Sequence, residues 1–224
     1  MSVVLPESFY SRPTLEVLDD IIGKVLAHDV RGVRTAGVIV EAEAYVGESD
    51  PACHAAPGPT PRNQPLYGPP RRAYVYFNYG MHHLVNAVTE AEGAPAAILI
   101  RALEPLEGLR AMRGRRLRRR TNGIRRQRET MPDADLCRGP GNLTVALGID
   151  LRHNTADLTS GPLAIEDHGI RPDRLARSKR IGIRVGRERD WRCYWVGKNV
   201  SGRIPLIAVL AAALPAPTDS RREP

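Results

Sequence analysis

The chain has 224 residues, 42% of them hydrophobic and 26% charged, which fits one large domain with a core of its own or two small ones. Its net charge of +8 suits a polyanionic partner such as nucleic acid or an anionic membrane, although Arg outnumbers Lys 30 to three, a bias that a genome rich in G and C also writes. Cys53, Cys137 and Cys193 stand far apart with no Cys-x-x-Cys spacing, which argues against a disulfide framework or a cysteine-rich zinc site.

The opening MSVVLPESFYSRP lacks a basic segment followed by an apolar one, so no signal peptide is expected. Leu15, Leu18, Ile22 and Val25/Leu26 recur at helical spacing, predicting an amphipathic helix over Thr14 to Leu26. Gly37 to Val46 reads as a strand. Its even positions, Val38, Val40, Ala42, Ala44 and Val46, form an apolar face suited to a core. The odd positions Ile39, Glu41, Glu43 and Tyr45 share the other face. Pro51 to Pro70 is rich in Pro and Gly and predicts an ordered loop.

Ala73 to Phe77 and His83 to Thr89 read as a hairpin around the turn signal Asn78-Tyr79-Gly80. Ala96 to Arg101 predicts a strand with Ala97, Leu99 and Arg101 on one face, and Glu104-Pro105 opens a predicted helix through Met112. Ten arginines fall in the 19 residues from Arg110 to Arg128, which suggests a helix end followed by a mobile loop. Such a run can bind phosphates, and it is equally what a solvated, self-repelling segment looks like. Leu136 to Ile149 predicts a Gly-Pro turn and a helix, and Ile181 to Val200 offers short strand-like pieces. The longest apolar run, Ile204 to Leu214, is too short to span a bilayer, and the polar tail after Pro215 predicts disorder. The expected architecture is α+β: a single compact domain over residues 1–203, with a mixed, mainly antiparallel curved sheet surrounded by helices. Residues 204–224 form a partly disordered extension. A cytoplasmic monomer without membrane contact is expected.

Two constellations carry chemistry. Glu41 and Glu43 on one strand face perturb each other, which serves acid–base work and stabilises a sugar oxocarbenium, or else they form salt bridges on a polar sheet face. Tyr74, Tyr76, Phe77 and Tyr79 supply four of the eleven Phe, Trp and Tyr residues within six positions. Flat rings of this kind stack on bases, or else fill a core. Cys53-His54 does not form a catalytic pair, since adjacent residues rarely meet productively. His54, His82 and His83 match no common metal-ligand spacing, so no metal is expected. No phosphate loop or dinucleotide fingerprint is present, and no cofactor is expected.

These residues resemble the alkyladenine (3-methyladenine) DNA glycosylase family. The resemblance rests on Val40–Gly47, Asp50–His54, Thr60–Asn63, Tyr74–Met81, Asn86, Leu99–Gly108, Arg138–Leu143 and Arg192–Ser201, and it covers roughly Leu5 to Arg203. It implies a metal-free, monofunctional glycosylase acting on damaged purines in double-stranded DNA. In that reading Glu43 activates the water and Arg101 lies near it and the lesion's phosphate. Tyr45, His54 and Tyr76 sandwich the flipped base, and Asn86 rejects normal guanine. Tyr79, with Met81 beside it, fills the gap in the duplex, and Arg62, Asn63, Gly139 and Asn142 fall in DNA-contacting blocks. The His54–Thr60 and Asn86–Arg101 intervals differ in length from animal members, so the resemblance leaves the preferred lesion open. The rival readings are a non-catalytic nucleic-acid-binding module, a nucleoside hydrolase and a lysine-dependent bifunctional glycosylase.

Overall fold

The glutamate-bearing strand is the spine of the sheet. In the computed structural model, which describes residues 2–78, 80–120 and 131–201, it runs from Val33 to Val46 and becomes β3 when the strands are numbered in chain order. The others are β1 (Val3–Val4), β2 (Val25–Val30), β4 (Ala73–Asn78), β5 (His82–Val88), β6 (Ala96–Glu107), β7 (Leu163–Asp167), β8 (Leu175–Ser178) and β9 (Arg192–Trp195). They form one open sheet in the order β1-β7-β2-β3-β6-β5-β4, with β9 joining β3 to β8. Every strand pairing among the described residues is antiparallel. With four helices added, the fold is α+β. Those helices are α1 (Glu7–Tyr10), α2 (Thr14–Asp20), α3 (Leu109–Arg120) and α4 (Pro140–Leu147).

β3 is covered along both edges. β6 runs the length of one, while β2 pairs with residues 33–38 and β9 with Glu41–Glu43 on the other. Both glutamates lie in this doubly paired stretch, and each is 0% exposed.

The alternation expected along β3 breaks in its middle. The register with β6 shifts twice between Ile39 and Ala42, leaving Val40 extra on β3 and then Arg101 extra on β6. Ile39 therefore joins Ala42 and Ala44 in the main core beneath the helices. Val38 and Val40 point to the opposite face, where they meet small clusters capped by Trp195 and Tyr194. Glu41, Glu43 and Tyr45 keep their common side.

Two boundaries also differ from the sequence pattern. The first predicted helix ends at Asp20, because Val25 and Leu26 are drawn into β2, paired with Val38 and Gly37. The segment Glu104 to Glu107 extends β6 instead of opening a helix, and α3 starts only at Leu109. Pro105 is tolerated there because β6 has only β3 beside it at that point among the described residues, so the missing N–H breaks no second ladder.

The core separates two functions of the sheet. Ile98 and Ile100 of β6 pack with Val17 and Leu18 of α2, Met112 of α3 and Leu143 of α4. Ala97, Leu99 and Arg101, one residue out of phase, face the other way into a cavity. Among the described residues no helix is long and apolar enough to cross a membrane.

Candidate active site

A cavity of about 300 Å³ opens on the face of β3–β6–β5–β4 opposite the helices. Its walls include Tyr45 from β3, Tyr74 and Tyr76 from β4, Asn86 from β5, Arg101 from β6 and His54 from the loop after β3. Pro140 at the start of α4 and the segment Ile181–Ile183 close it.

The aromatic wall is tightly cross-braced. The His54 ring stands 4.5 Å from Tyr76 at 69° and 5.9 Å from Tyr74 at 87°. Its Nδ1 lies 2.9 Å from the Tyr74 hydroxyl. Tyr74 and Tyr76 are 5.3 Å apart and tilted by 32°. Asn86, directly opposite Tyr74 in register, donates its amide to the Tyr74 carbonyl at 2.9 Å. That bond fixes which face of Asn86 the cavity sees.

Glu43 sits immediately behind this wall. Its Oε2 accepts from the Tyr45 hydroxyl at 2.9 Å and from Arg101 Nη1 at 3.0 Å. Its Oε1 accepts from the Ile181 backbone N–H at 2.7 Å. All three donors line the cavity. Burial pushes the Glu43 pKa above the ordinary carboxylate value, while Arg101, the Ile181 N–H and the Tyr45 hydroxyl pull against it. The result is a carboxylate of raised basicity with room on its lone pairs for one more donor.

Glu41 forms a second layer. Its Oε1 accepts from Arg192 Nε at 2.6 Å, Ser201 Oγ at 2.9 Å and Arg101 Nε at 3.2 Å. Its Oε2 accepts from the Ser201 N–H at 2.5 Å. Both glutamates are thus salt-bridged through Arg101, Glu41 also to Arg192, and of the two only Glu43 is bonded solely to groups that line the cavity. Arg101 links the two, and its charge is opposed by burial but favoured by Glu43 and Glu41.

The remaining predicted residues lie around the mouth or outside it. Arg62 is exposed, with Nη2 3.4 Å from the Phe77 carbonyl. Asn63 is buried, and its amide is spent inside the loop, bonding the His54 carbonyl at 2.7 Å, the Gly58 carbonyl at 2.9 Å and the Thr60 N–H at 2.6 Å. It thereby braces the segment that presents His54. Gly139 caps α4, and Asn142 bonds the Arg138 carbonyl at 2.6 Å. Met81 is 60% exposed beside the β4–β5 turn. Tyr79 lies outside the described residues, as do Arg125, Arg126 and Arg128 of the arginine run and the segment 204–224. The Cys53 thiol lines the cavity, but burial pushes its pKa up to about 11 and keeps it protonated. Among the described residues no group of three or more His, Cys, Asp or Glu is placed to hold a metal ion.

Sequence reasoning missed one side of the site. Ile181 contributes a backbone N–H, which no side-chain pattern reveals. Arg180 packs its guanidinium 4.7 Å from the Tyr45 ring centre, and it lies in a stretch with no aromatic or acidic motif of its own.

The site is thus a buried carboxylate behind a cavity walled by aromatic rings. The family model described as methylpurine-DNA glycosylase (MPG) matches residues 8–199. A relative from Chlorobium phaeobacteroides, named as a candidate 3-methyladenine DNA glycosylase, is 44% identical over 192 residues, covering 85% of this chain and 90% of its own. Relatives from Burkholderia cenocepacia and Methanocella arvoryzae carry the same name. Each is 44% identical over 209 residues, covering 91% and 90% of this chain and 94% and 98% of their own. The chain belongs to the methylpurine-DNA glycosylase family, and it is a DNA glycosylase, a hydrolase of DNA repair.

Proposed function

We propose that the cavity receives an alkylated or deaminated purine rotated out of duplex DNA, and that Glu43 activates the water that hydrolyses its N-glycosidic bond. The observation that carries this reading is the Glu43 carboxylate, sealed from bulk solvent yet bonded only to groups that line the cavity. The names of the relatives favour 3-methyladenine among the substrates.

The steps follow from the placement of groups. The basic surface collects DNA through counterion release. Tyr79, which lies in the sequence between the exposed Phe77 and Met81, fills the space left in the stack. The flipped base stacks among Tyr45, His54 and Tyr76, and Asn86 reads its edge. Glu43 takes a proton from water, the oxygen bonds to C1′, and the electron pair of the breaking C–N bond leaves with the base. An alkylpurine cation leaves as a neutral base, which suits it to this chemistry. Arg101 steadies the carboxylate and the developing charge. The products are a free base and an abasic site. None of the three lysines lines the cavity, and Lys24 and Lys198 are paired with Asp167 and Glu104, which supports hydrolysis over a Schiff-base route.

Glu43→Gln tests the reading on a duplex carrying one hypoxanthine or ethenoadenine. The substitution preserves shape and removes the proton acceptor, so the single-turnover excision rate should fall by about 10²–10⁴-fold. Excision at near wild-type rate would show that Glu43 is not the base.

A further inference from the structure

The Ile181 N–H that reaches Glu43 belongs to a segment without regular structure, so something must hold it. The neighbouring side chain does. The Arg180 side chain is 0% exposed and clamps Asp50, whose side chain is also 0% exposed, with two bonds of 2.5 and 2.8 Å. Its Nη1 also donates to the Ala44 carbonyl on β3 at 3.0 Å, and its Nη2 to the Gly186 carbonyl at 3.2 Å. Asp50 in turn accepts from the Ala52 N–H at 3.2 Å, at the start of the loop that carries His54. One buried ion pair thus ties the strand of Glu43 and Tyr45, the loop of His54 and the segment of Ile181 to a common point.

Packing around the pair leaves no slack. Gly186 has a φ of +62°, and a Cβ there would come within 3.0 Å of Arg180 Nη2 and 3.2 Å of Asp50 Oδ1. The guanidinium also lies 4.7 Å from the Tyr45 ring centre and 5.2 Å from that of Trp191. A planar, forked cation fits this place, and a Lys ammonium cannot make both carboxylate bonds and both carbonyl bonds in the same geometry.

We propose that Arg180, through its ion pair with Asp50, is a positioning residue of the reaction: it fixes the Ile181 N–H against Glu43 and backs Tyr45, setting how readily Glu43 takes its proton. The proposal rests on Glu43 being the base and deepens that reading. Burial of Asp50 opposes its charge, but the bonds and charge of Arg180 prevail and hold its carboxyl below the usual range, so the clamp stays ionised. The charged and titratable groups facing Glu43 are Glu41 and Tyr45 on its own strand, Tyr76 on β4, Arg101 on β6, Arg192 opposite on β9, and Arg180. Arg180→Lys keeps the charge of the last and alters only its geometry. Weakening the Ile181 bond removes one of the influences that lower the Glu43 pKa, so its proton is held to higher pH.

The test is the pH–rate profile of single-turnover excision on a hypoxanthine duplex for Arg180→Lys, Asp50→Asn and Gly186→Ala, with melting temperature as the folding control. The expected result is an acid limb moved upward, so that the rate at low pH falls about 3- to 10-fold while the plateau changes less than about 2-fold. An acid limb at the wild-type pH, with only a lower melting temperature, would make Arg180 a stability residue and overturn the proposal. The Ile181 amide resonance of the wild-type enzyme gives a second readout that depends on no variant folding. It should titrate over the same pH interval as the acid limb and stop doing so in Glu43→Gln, and an amide indifferent to pH would also overturn the proposal. Retained excision by Glu43→Gln would instead sink the underlying reading, whatever the amide does.

Discussion

His54 illustrates how one side chain sets both the shape and the charge of the pocket. Its ring is braced by Tyr74 and Tyr76, and burial, then the positive charge of Arg62, lowers its pKa below the ordinary 6.5. At neutral pH the imidazole is therefore uncharged, and a cationic alkylpurine can lie beside it. Protonation occurs only as the pH falls through the lowered value, and the resulting imidazolium repels a cationic base but not a neutral one. The excision rate on a 7-methylguanine duplex, divided by that on an ethenoadenine duplex, should stay level from about pH 8 down to 6.5. Further down, once the ring titrates, it should fall by about tenfold per pH unit. Taking the ratio cancels the titration of Glu43, which both lesions share. The fall should vanish in His54→Gln; if it persists there, the charge sensor lies elsewhere. Glu43, Tyr45, His54 and Tyr76 stand in short acidic and aromatic stretches that the sequence displays, whereas Asn86 and Arg101 were reached through the family resemblance. Arg180 and Ile181 were not legible, because their partners, Asp50 and Glu43, lie 130 and 138 residues away and act through a buried clamp and a backbone N–H.

At the scale of elements, the strands that carry the site showed themselves through alternation and aromatic content, and the rest did not. β4, β5 and the first half of β6 read correctly for that reason. β1, β7 and β8 are two to five residues long and show no comparable pattern, so nothing in their composition marked them. The two misplaced helix boundaries share a cause: helical spacing at Val25 and Leu26, and a Glu-Pro start at Glu104, were overridden by long-range pairing to β3. β3 itself carries three register shifts against β6 that no alternation pattern encodes. One falls at Gly37, where the backbones of β3 and β6 approach so closely that a Cβ would meet Leu103 Cβ at 2.9 Å and the Glu104 carbonyl at 3.0 Å. Gly37→Ala should cost about 1–3 kcal/mol by forcing those strands apart. For a domain of this size that is about 2–4 °C in melting temperature per kcal/mol. An unchanged melting temperature would mean that the slip is not held by close packing.

Across the whole molecule, a net charge of +8 predicts salt-sensitive binding, but the arginines contribute unequally. Those in the middle of α3 are turned inward. Arg115 Nη1 donates to the Ala146 carbonyl at 2.8 Å, at the C-terminal end of α4, where a cation also complements the helix dipole. Arg116 Nη1 donates to the Leu136 carbonyl at 2.8 Å, and Arg113 Nε to the Met131 carbonyl at 3.1 Å. The end of α4 that approaches the cavity is the opposite one, marked by Pro140. This half of the arginine run therefore braces the fold, a role between the two that its charge density suggested. Arg62, by contrast, is exposed and close enough to the cavity for its charge to depress the pKa of His54. If charge near the mouth binds the phosphates, Arg62→Ala should reduce the slope of log affinity against log salt by about 1, with melting temperature preserved. Arg116→Ala should leave that slope intact and cost about 1–3 kcal/mol of stability, because a carbonyl beside the buried Leu136 loses its donor. Binding titrations on lesion duplexes between 50 and 200 mM salt, paired with thermal melts, separate the two roles. An unchanged slope for Arg62→Ala together with a reduced one for Arg116→Ala would place the DNA track along α3 instead of across the cavity mouth.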